Sequence, residues 1–456
     1  MGITPVGVSL DAMAQLHGLT PSGRGEHKMG YDGAGRMTSF TSPAPETGAS
    51  PLTLGWDYCA RSATAARAGY REEALLPPRD RRPRRAVALC HAPPAVSWGA
   101  PEHPDIVAAR VIVGMSGGVD SSVAALALLR QGCEVVGVTL HLWDYAKEGH
   151  AGRCCAPEDQ YDAARVCASL GIAHYTFDRR ALFREAVVDR FVRDYVEGRT
   201  PSPCVRCNES VKLGPLLAIA RSLGATRIAT GHYARITPDG EGVALRVAAE
   251  AARDQSYFLW AAPLEALRAL TLPLGAMHKD EARRMAAEAG LRVASKPDST
   301  DLCFVEGDDY TSFVASRATT LGPPGTLETV DGRVVGTHQG VHAFTPGQRR
   351  GVGAAGVPRY VLRIIHERAA VIVGTAEESL SDTVRVEALR WLTEAPTTEG
   401  LRVKIRYRHP GVDVAAMHVE GDVATLRLAE AQRGVAPGQA AVLYQGDRVV
   451  AGGWIA

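Results

Sequence analysis

The chain has no run of 18 or more apolar residues, so no membrane-spanning helix is expected. Its start lacks a basic segment followed by an apolar core, so no secretory signal is expected either. Charge of one sign is not in excess. Formal net charge is +1 over 456 residues, and any contact with nucleic acid must come from local patches rather than a global field. No segment repeats. The nine cysteines are odd in number and unevenly spread, which excludes a secreted disulfide framework and points to a reducing, cytoplasmic setting. Cys204-Val205-Arg206-Cys207 has no second Cys-x-x-Cys at similar spacing, and the adjacent Cys154-Cys155 make a poor chelate. Structural zinc is therefore disfavoured.

What is present fits a globular protein of two or three domains, with 46% hydrophobic and 22% charged residues. Residues 1–104 are rich in Gly, Pro, Ser, Ala and Arg and lack sustained periodicity. They are expected to be a disordered or non-native extension, with an RNA-binding arm as the functional alternative for the basic run 77–85. Residues 105–310 alternate strand and helix patterns: strand Val111–Val113, helix Ser122–Gln131, strand Val135–Leu140, helix Asp159–Leu170, strand Tyr175–Phe177, helix Leu182–Glu197, helix Leu213–Leu223 and strand Arg227–Ala229. That alternation predicts an α/β, doubly wound parallel sheet with its ligand at the carboxyl ends of the strands. Residues 311–365 form a small central domain. Residues 366–456 show short alternating strands and predict a C-terminal β-barrel.

The most informative stretch runs Val111-Ile-Val-Gly-Met-Ser-Gly-Gly-Val-Asp-Ser-Ser122. A strand, a glycine loop and a helix start follow in order, which aims backbone N–H groups and the positive helix end at one point. Ser116, Ser121 and Ser122 add hydroxyls. Asp120 repels phosphate, so it is expected to hold a metal or cap the helix. No Lys follows the glycines of this loop, and the loop itself is not Gly-x-Gly-x-x-Gly, so neither common phosphate motif applies to it. The loop resembles the Ser-Gly-Gly-x-Asp-Ser pyrophosphate (PP) loop of the ATP pyrophosphatase superfamily, which splits ATP between its α and β phosphates.

Cys204-x-x-Cys207 alone is compatible with a metal, a dithiol or an inert pair, and Asn208 and nearby prolines suggest a shaped loop entering a helix near Lys212. Cys303 alone reads as a buried core thiol; beside an ATP-activating loop it becomes a candidate sulfur carrier. Leu401 to Arg408 alternates, with Arg402, Lys404, Arg406 and Arg408 on one face, either solvated or phosphate-binding. His232 is either catalytic or a backbone support.

The ordered set Ser116–Ser121, Thr200-Pro-Ser-Pro with Cys207-Asn208, Ala229-Thr-Gly-His-Tyr233, Asp254-Gln-Ser-Tyr-Phe258, Asp298-Ser-Thr with Cys303-Phe304, and Gly347-Gln-Arg-Arg-Gly351 resembles the bacterial tRNA-specific 2-thiouridylases from about residue 106 onward. The resemblance implies a PP-loop domain, a central domain and a β-barrel. It also implies ATP-dependent adenylation of the wobble-uridine C2 oxygen in tRNAs for Lys, Glu and Gln, then sulfur transfer. ATP would be bound by Gly114, Met115, Ser116, Gly117, Gly118, Val119, Asp120 and Ser121, with Leu140 and Gly231 near adenine and ribose. Cys207 would be the nucleophile and Cys303 the persulfide carrier, with a disulfide bond among the expected features. Ser202, Pro203 and Cys204 would face the target base. Arg253, Asp254, Gln255, Arg406 and Tyr407 would touch tRNA. Mg²⁺ would accompany ATP, and sulfur would come from a cysteine desulfurase or a sulfur-relay protein.

The chain departs from that pattern at Cys204, where many members carry Asp. Three thiols, Cys204, Cys207 and Cys303, would also suit a [4Fe–4S] cluster with one open iron. Persulfide and cluster both stay open, with the persulfide preferred. Two other classes compete: a PP-loop enzyme acting on a different substrate, and a non-catalytic RNA-binding protein. The first leaves Cys207 and Cys303 without a role; the second has no need of the phosphate loop.

Overall fold

The computed structural model describes strands 28–31, 37–41 and 53–55 and residues 109–143, 157–240, 242–298, 302–305, 309–352, 358–394 and 397–456. Two compact units are separable, Met1–Gly99 and Ala100–Ala456. In the first, β1 (Lys28–Tyr31), β2 (Met37–Thr41) and β3 (Thr53–Gly55) form an antiparallel sheet in that order. The sequence reading gave this segment no strands. Strands of three to five residues are too short for alternation to show, although Tyr31, Thr38, Phe40 and Thr53 are strand formers. The basic run 77–85 and Cys154-Cys155 lie outside the described residues.

The second unit opens with β4 (Arg110–Gly114), β5 (Glu134–His141), β6 (Ala173–Asp178) and β7 (Arg227–Ala229). A hairpin, β8 (Arg235–Asp239) and β9 (Gly242–Arg246), and the short β10 (Leu270–Thr271) follow. The parallel sheet has the order β10-β7-β4-β5-β6. Val111, Ile112 and Val113 are fully buried, as expected of a strand covered on both faces. Strands later in sequence lie on both sides of β4. The crevice between β4 and β7 is thus the topological switch point, where doubly wound sheets bind ligands. The helix Val119–Arg130 packs with Lys279–Glu288 through Val123, Ala282, Met285 and Ala286.

The central sheet holds β11 (Gly325–Glu328), β12 (Val334–His338), β13 (Tyr360–Ile365) and β14 (Ala370–Gly374) in the order β12-β11-β14-β13. The sequence grouped Ala370–Val373 with the barrel; its pairing with β13 and β11 puts it here instead. The barrel comprises β15 (Leu380–Trp391), β16 (Leu401–Lys404), β17 (Val412–Glu420), β18 (Val423–Arg433), β19 (Ala440–Gln445) and β20 (Arg448–Ile455). Its antiparallel order β15-β18-β17-β16-β19-β20 closes through β15–β20. The hairpin β8–β9 joins its edge at β20. Strand β16 ends at Lys404, so the expected strand to Arg408 stops short: Ile405 to Arg408 form a turn.

Candidate active site

The loop after β4 is folded by its own side chains. Ser121 Oγ accepts from Ser116 N–H at 3.1 Å and donates to the Gly118 carbonyl at 3.2 Å; Ser122 Oγ donates to the same carbonyl at 2.8 Å. Ser116 Oγ lies 3.1 Å from Ser121 Oγ. Met115 is buried: its N–H donates to Val138 O at 2.8 Å and its carbonyl accepts Thr139 Oγ1–H at 2.9 Å. Gly117 has φ +74, and a Cβ there would sit 2.1 Å from the Asp159 carbonyl. Gly231, at the end of β7, approaches so closely that a Cβ would lie 2.6 Å from Ser121 N. The first-turn N–H groups from Val119 onward, without intrahelical partners, thus open on the switch-point crevice between Gly114 and Gly231.

Asp120 neither caps nor stands free. Gly118 is the N-cap, without a side-chain cap bond. Both Asp120 oxygens accept from Lys279 Nζ, at 2.7 and 2.9 Å, and Oδ1 also accepts Tyr233 Oη–H at 3.1 Å. A second lysine, Lys296, donates to Gly117 O at 3.0 Å and to the carboxylates of Asp159 and Asp162.

Cys204 and Cys207 lie on a helix rather than the expected loop. Pro203 sits at the first helical position, where its fixed φ is favourable and its missing N–H costs nothing. Helix Pro203–Arg206 runs into a π turn, Cys207–Lys212, then into helix Leu213–Ser222. A π turn of this kind often marks a functional position. Asn208 Nδ2 donates to Cys204 O at 3.1 Å and Phe258 O at 3.3 Å. Arg206 stacks over Trp454 of β20, 3.5 Å from the ring centroid. Thr200 N–H donates to Pro437 O at 2.7 Å, and Gln439 Nε2 to Pro201 O at 3.0 Å. The barrel is therefore the back wall of the thiol helix.

Cys207 is buried in an apolar cluster with Leu142, Phe191 and Phe304; Leu140 and Cys303 pack against the same cluster. Burial pushes the Cys207 thiol up to about 11, opposed by the Lys212 ammonium. Cys204 is exposed, yet loss of hydration by partial burial still pushes its thiol up, again opposed by Lys212. His232 lies near the same lysine and burial takes it down to about 3, so it is neutral; its Nδ1 lies 2.8 Å from Thr230 Oγ1.

Ser202 and Pro203 are buried. Tyr407 is half-buried, 4.2 Å from Phe258 between ring centroids. Phe258 also accepts from Asn208 of the thiol helix through its carbonyl, so the barrel turn lies beside the thiol site. Arg406 is exposed and donates to Arg433 O at 3.1 Å. Arg253 is exposed; Gln255 accepts the Tyr233 N–H at 2.9 Å. Asp254 faces inward, accepting from Ala248 and Ser256 N–H groups, Ser256 Oγ–H and Lys404 Nζ. Lys404 is thus neither solvated nor free for phosphate: it neutralises a buried carboxylate.

Residues 109–307 match the tRNA methyl transferase HUP domain, 311–375 the tRNA methyl transferase PRC-barrel domain, and 381–455 the aminomethyltransferase beta-barrel domain. The tRNA-specific 2-thiouridylase MnmA of Maricaulis maris (strain MCS10) is 47% identical over 353 residues, covering 76% of this chain and 87% of that protein. The protein of the same name from Sorangium cellulosum (strain So ce56) is 48% identical over 356 residues, covering 76% and 92%. The chain belongs to the tRNA-specific 2-thiouridylase family. Among solved structures, NMN synthetase from Francisella tularensis aligns at 17% identity over 42% of this chain and 66% of that one, with a TM-score of 0.27, too low to carry an argument.

Nothing among the described residues supports the expected three-thiol cluster. Among the described residues, no three His, Cys, Asp or Glu side chains converge to hold a metal ion, and Cys204, Cys207 and Cys303 are all described. Cys204 sits at the mouth and Cys207 inside, on one helix. No helix among the described residues is long and apolar enough to cross a membrane. The sequence reading missed three lysines, Lys212, Lys279 and Lys296. One signal was available: Lys279 opens a helix, where a cation opposes the macrodipole and so needs a partner.

Proposed function

We propose that the chain is an ATP-dependent tRNA-uridine 2-sulfurtransferase. The observation that carries this reading is the arrangement at the switch point: an anion-type loop opens on a crevice whose neighbouring apolar cluster holds Cys207 and packs against Cys303 and Leu140. In this reading Gly114 to Ser121 hold the ATP phosphates, with Leu140 and Gly231 beside the adenosine. Ser202, Pro203 and Cys204 border the target base, and Arg253, Asp254, Gln255, Arg406 and Tyr407 form the tRNA face, Asp254 by supporting its neighbours. Mg²⁺ bound with ATP would screen phosphate charge.

The uracil C2 oxygen attacks the α-phosphorus and pyrophosphate leaves. The terminal sulfur of a Cys303 persulfide attacks C2, and AMP departs with the oxygen. The Cys207 thiolate then attacks Cys303 Sγ, which forms a disulfide and releases the base with C2=S. A dithiol reductant restores both thiols, and a cysteine desulfurase or sulfur-relay protein reloads Cys303. Lys212 supplies the positive charge that a thiolate needs in an apolar setting. tRNA and ATP put the reaction in the cytoplasm. Wobble uridine of tRNAs for Lys, Glu and Gln is the proposed target.

The test incubates those tRNAs with protein, Mg-ATP and a persulfide donor, followed by nucleoside mass spectrometry. 2-Thiouridine with pyrophosphate release is expected. Pyrophosphate without thiolated base would point to another PP-loop activity, and tRNA binding with neither product to a binding protein.

A further inference from the structure

Two motifs that lie apart in sequence meet at one ammonium group that belongs to neither, and two more are linked to it through Asp120. Lys279 is 4% exposed. Its Nζ contacts both oxygens of Asp120 in the phosphate loop and lies 2.8 Å from Asp298 Oδ1. Asp298 opens the motif that carries Cys303 five residues on. Arg283 reaches Asp298 Oδ1 at 2.7 Å and Arg253, of the proposed tRNA face, reaches Oδ2 at 2.7 Å. Tyr233, which donates to Asp120, exchanges backbone and side-chain bonds with Gln255. Glu250 accepts the Lys279 backbone N–H at 2.7 Å and fixes the start of that helix.

The position is costly in two ways. A buried ammonium loses hydration, and a lysine at a helix start opposes the dipole. Its two carboxylate partners offset both, and those partners belong to different functional segments. The helix itself cannot drift, because Ala282, Met285 and Ala286 are buried against Val123 and its neighbours in the phosphate-loop helix. The three cations Lys279, Arg253 and Arg283 face three carboxylates, Asp120, Asp298 and Glu250. Polyphosphate arriving at the loop adds anionic charge beside Asp120. Of these three cations, Lys279 is the one that touches both Asp120 and Asp298.

We propose that Lys279 is a positioning residue that holds the sulfur-carrying segment, through Asp298, in register with the nucleotide loop. The inference rests on the proposed function, in which Cys303 delivers sulfur to a base adenylated at that loop. Adenylation needs the loop alone; sulfur delivery needs both segments aligned. When alignment fails, water replaces sulfur at the adenylated base. AMP then leaves, uridine is regenerated, and pyrophosphate is formed without thiouridine.

The readout is the ratio of pyrophosphate released to 2-thiouridine formed, measured on the full chain with tRNA, Mg-ATP and a persulfide donor. Wild type should give a ratio near one. Asp298→Asn should raise it to about ten or more, chiefly through kcat for thiolation, with pyrophosphate release kept within about threefold. Arg283→Met removes another partner of Asp298 without touching Lys279 and should stay near one. A ratio near one for Asp298→Asn, or an Arg283→Met ratio as high as that of Asp298→Asn, overturns the proposal. If Asp298→Asn melts below the assay temperature, Lys279→Arg decides, since it keeps the charge and changes the reach. A ratio above about three supports positioning, and one near unity overturns it. Wild type that releases no pyrophosphate with tRNA defeats the proposed function itself, a different outcome from any of these.

Discussion

The phosphate loop and the thiol helix sit beside each other but are made in opposite ways. The loop's internal bonds join residues two to five positions apart. The thiol helix takes its bonds from far along the chain: Asn208 reaches 50 residues to Phe258 O, Gln439 reaches 238 to Pro201 O, and Arg206 lies on Trp454. The turn of the loop is thus set within a short sequence and then tied to distant residues such as Lys279 and Lys296, whereas the thiol helix is positioned by the assembled molecule. Damage to the barrel should fall on sulfur chemistry and spare nucleotide binding; damage to the loop should do the reverse.

The sharpest separation should come from the thiols themselves. Cys207→Ser and Cys303→Ser should each lower 2-thiouridine formation by about three orders of magnitude or more, while Cys303→Ser still releases pyrophosphate. Thiolation by Cys303→Ser above a tenth of wild type would remove Cys303 from the reaction. Cys204→Ser should keep measurable activity, and iron analysis of anaerobically purified protein should find none bound at stoichiometric level.

Next in size is Gly117→Ala. A left-handed backbone conformation costs a non-glycine residue roughly 1–2 kcal/mol, and the added methyl would also meet the Asp159 carbonyl. Titration calorimetry should show ATP affinity down about tenfold or more, with the Cys207 alkylation rate unchanged. A parallel loss of thiol reactivity would mean that the two sites are not separable. The converse is Trp454→Ala, which removes a cation–π contact of about 1 kcal/mol behind the thiol helix. ATP affinity should stay within about twofold while alkylation of Cys204 and Cys207 shifts severalfold; a drop in ATP affinity of the same size would break the comparison.

The smallest effect is on pH dependence. Burial holds the Cys207 thiol up to about 11, so the proton stays on at neutral pH and the thiolate fraction grows about tenfold per pH unit below that value. Carboxamidomethylation of Cys207 in ligand-free protein should therefore climb steadily from pH 7 to pH 10. A plateau near pH 8 would show that Lys212 outweighs burial.

The same division explains what could be read from the sequence. The phosphate loop and the strands and helices around the parallel sheet are legible because each declares itself within about a dozen residues. In sequence the start of the thiol helix reads as a loop because Thr200-Pro-Ser-Pro looks like a breaker, although Pro203 at a helix start is itself a start signal. Lys404 looked like one of four aligned cations, since a sequence cannot show that Asp254, 150 residues away, claims it. Ala370–Gly374 was assigned to the barrel because alternation marks a strand but does not name its partner. Lys279 escaped for the same reason: its partners lie 159 residues before it in Asp120 and beyond it in Asp298.

The hairpin β8–β9 bears on the order of events during synthesis. Arg235 and Arg246 both pair with Asp447, and Arg448 with Asp239, across about two hundred residues. At 5–20 residues per second, a ribosome needs about ten seconds or more to deliver β20 after the hairpin has emerged. Throughout that interval the phosphate loop can already have closed on itself, whereas the hairpin presents an open strand edge, the kind of surface that invites wrong pairing. The nascent chain is most vulnerable in that window, and a chaperone that shields Arg235 to Arg246 would serve it best then.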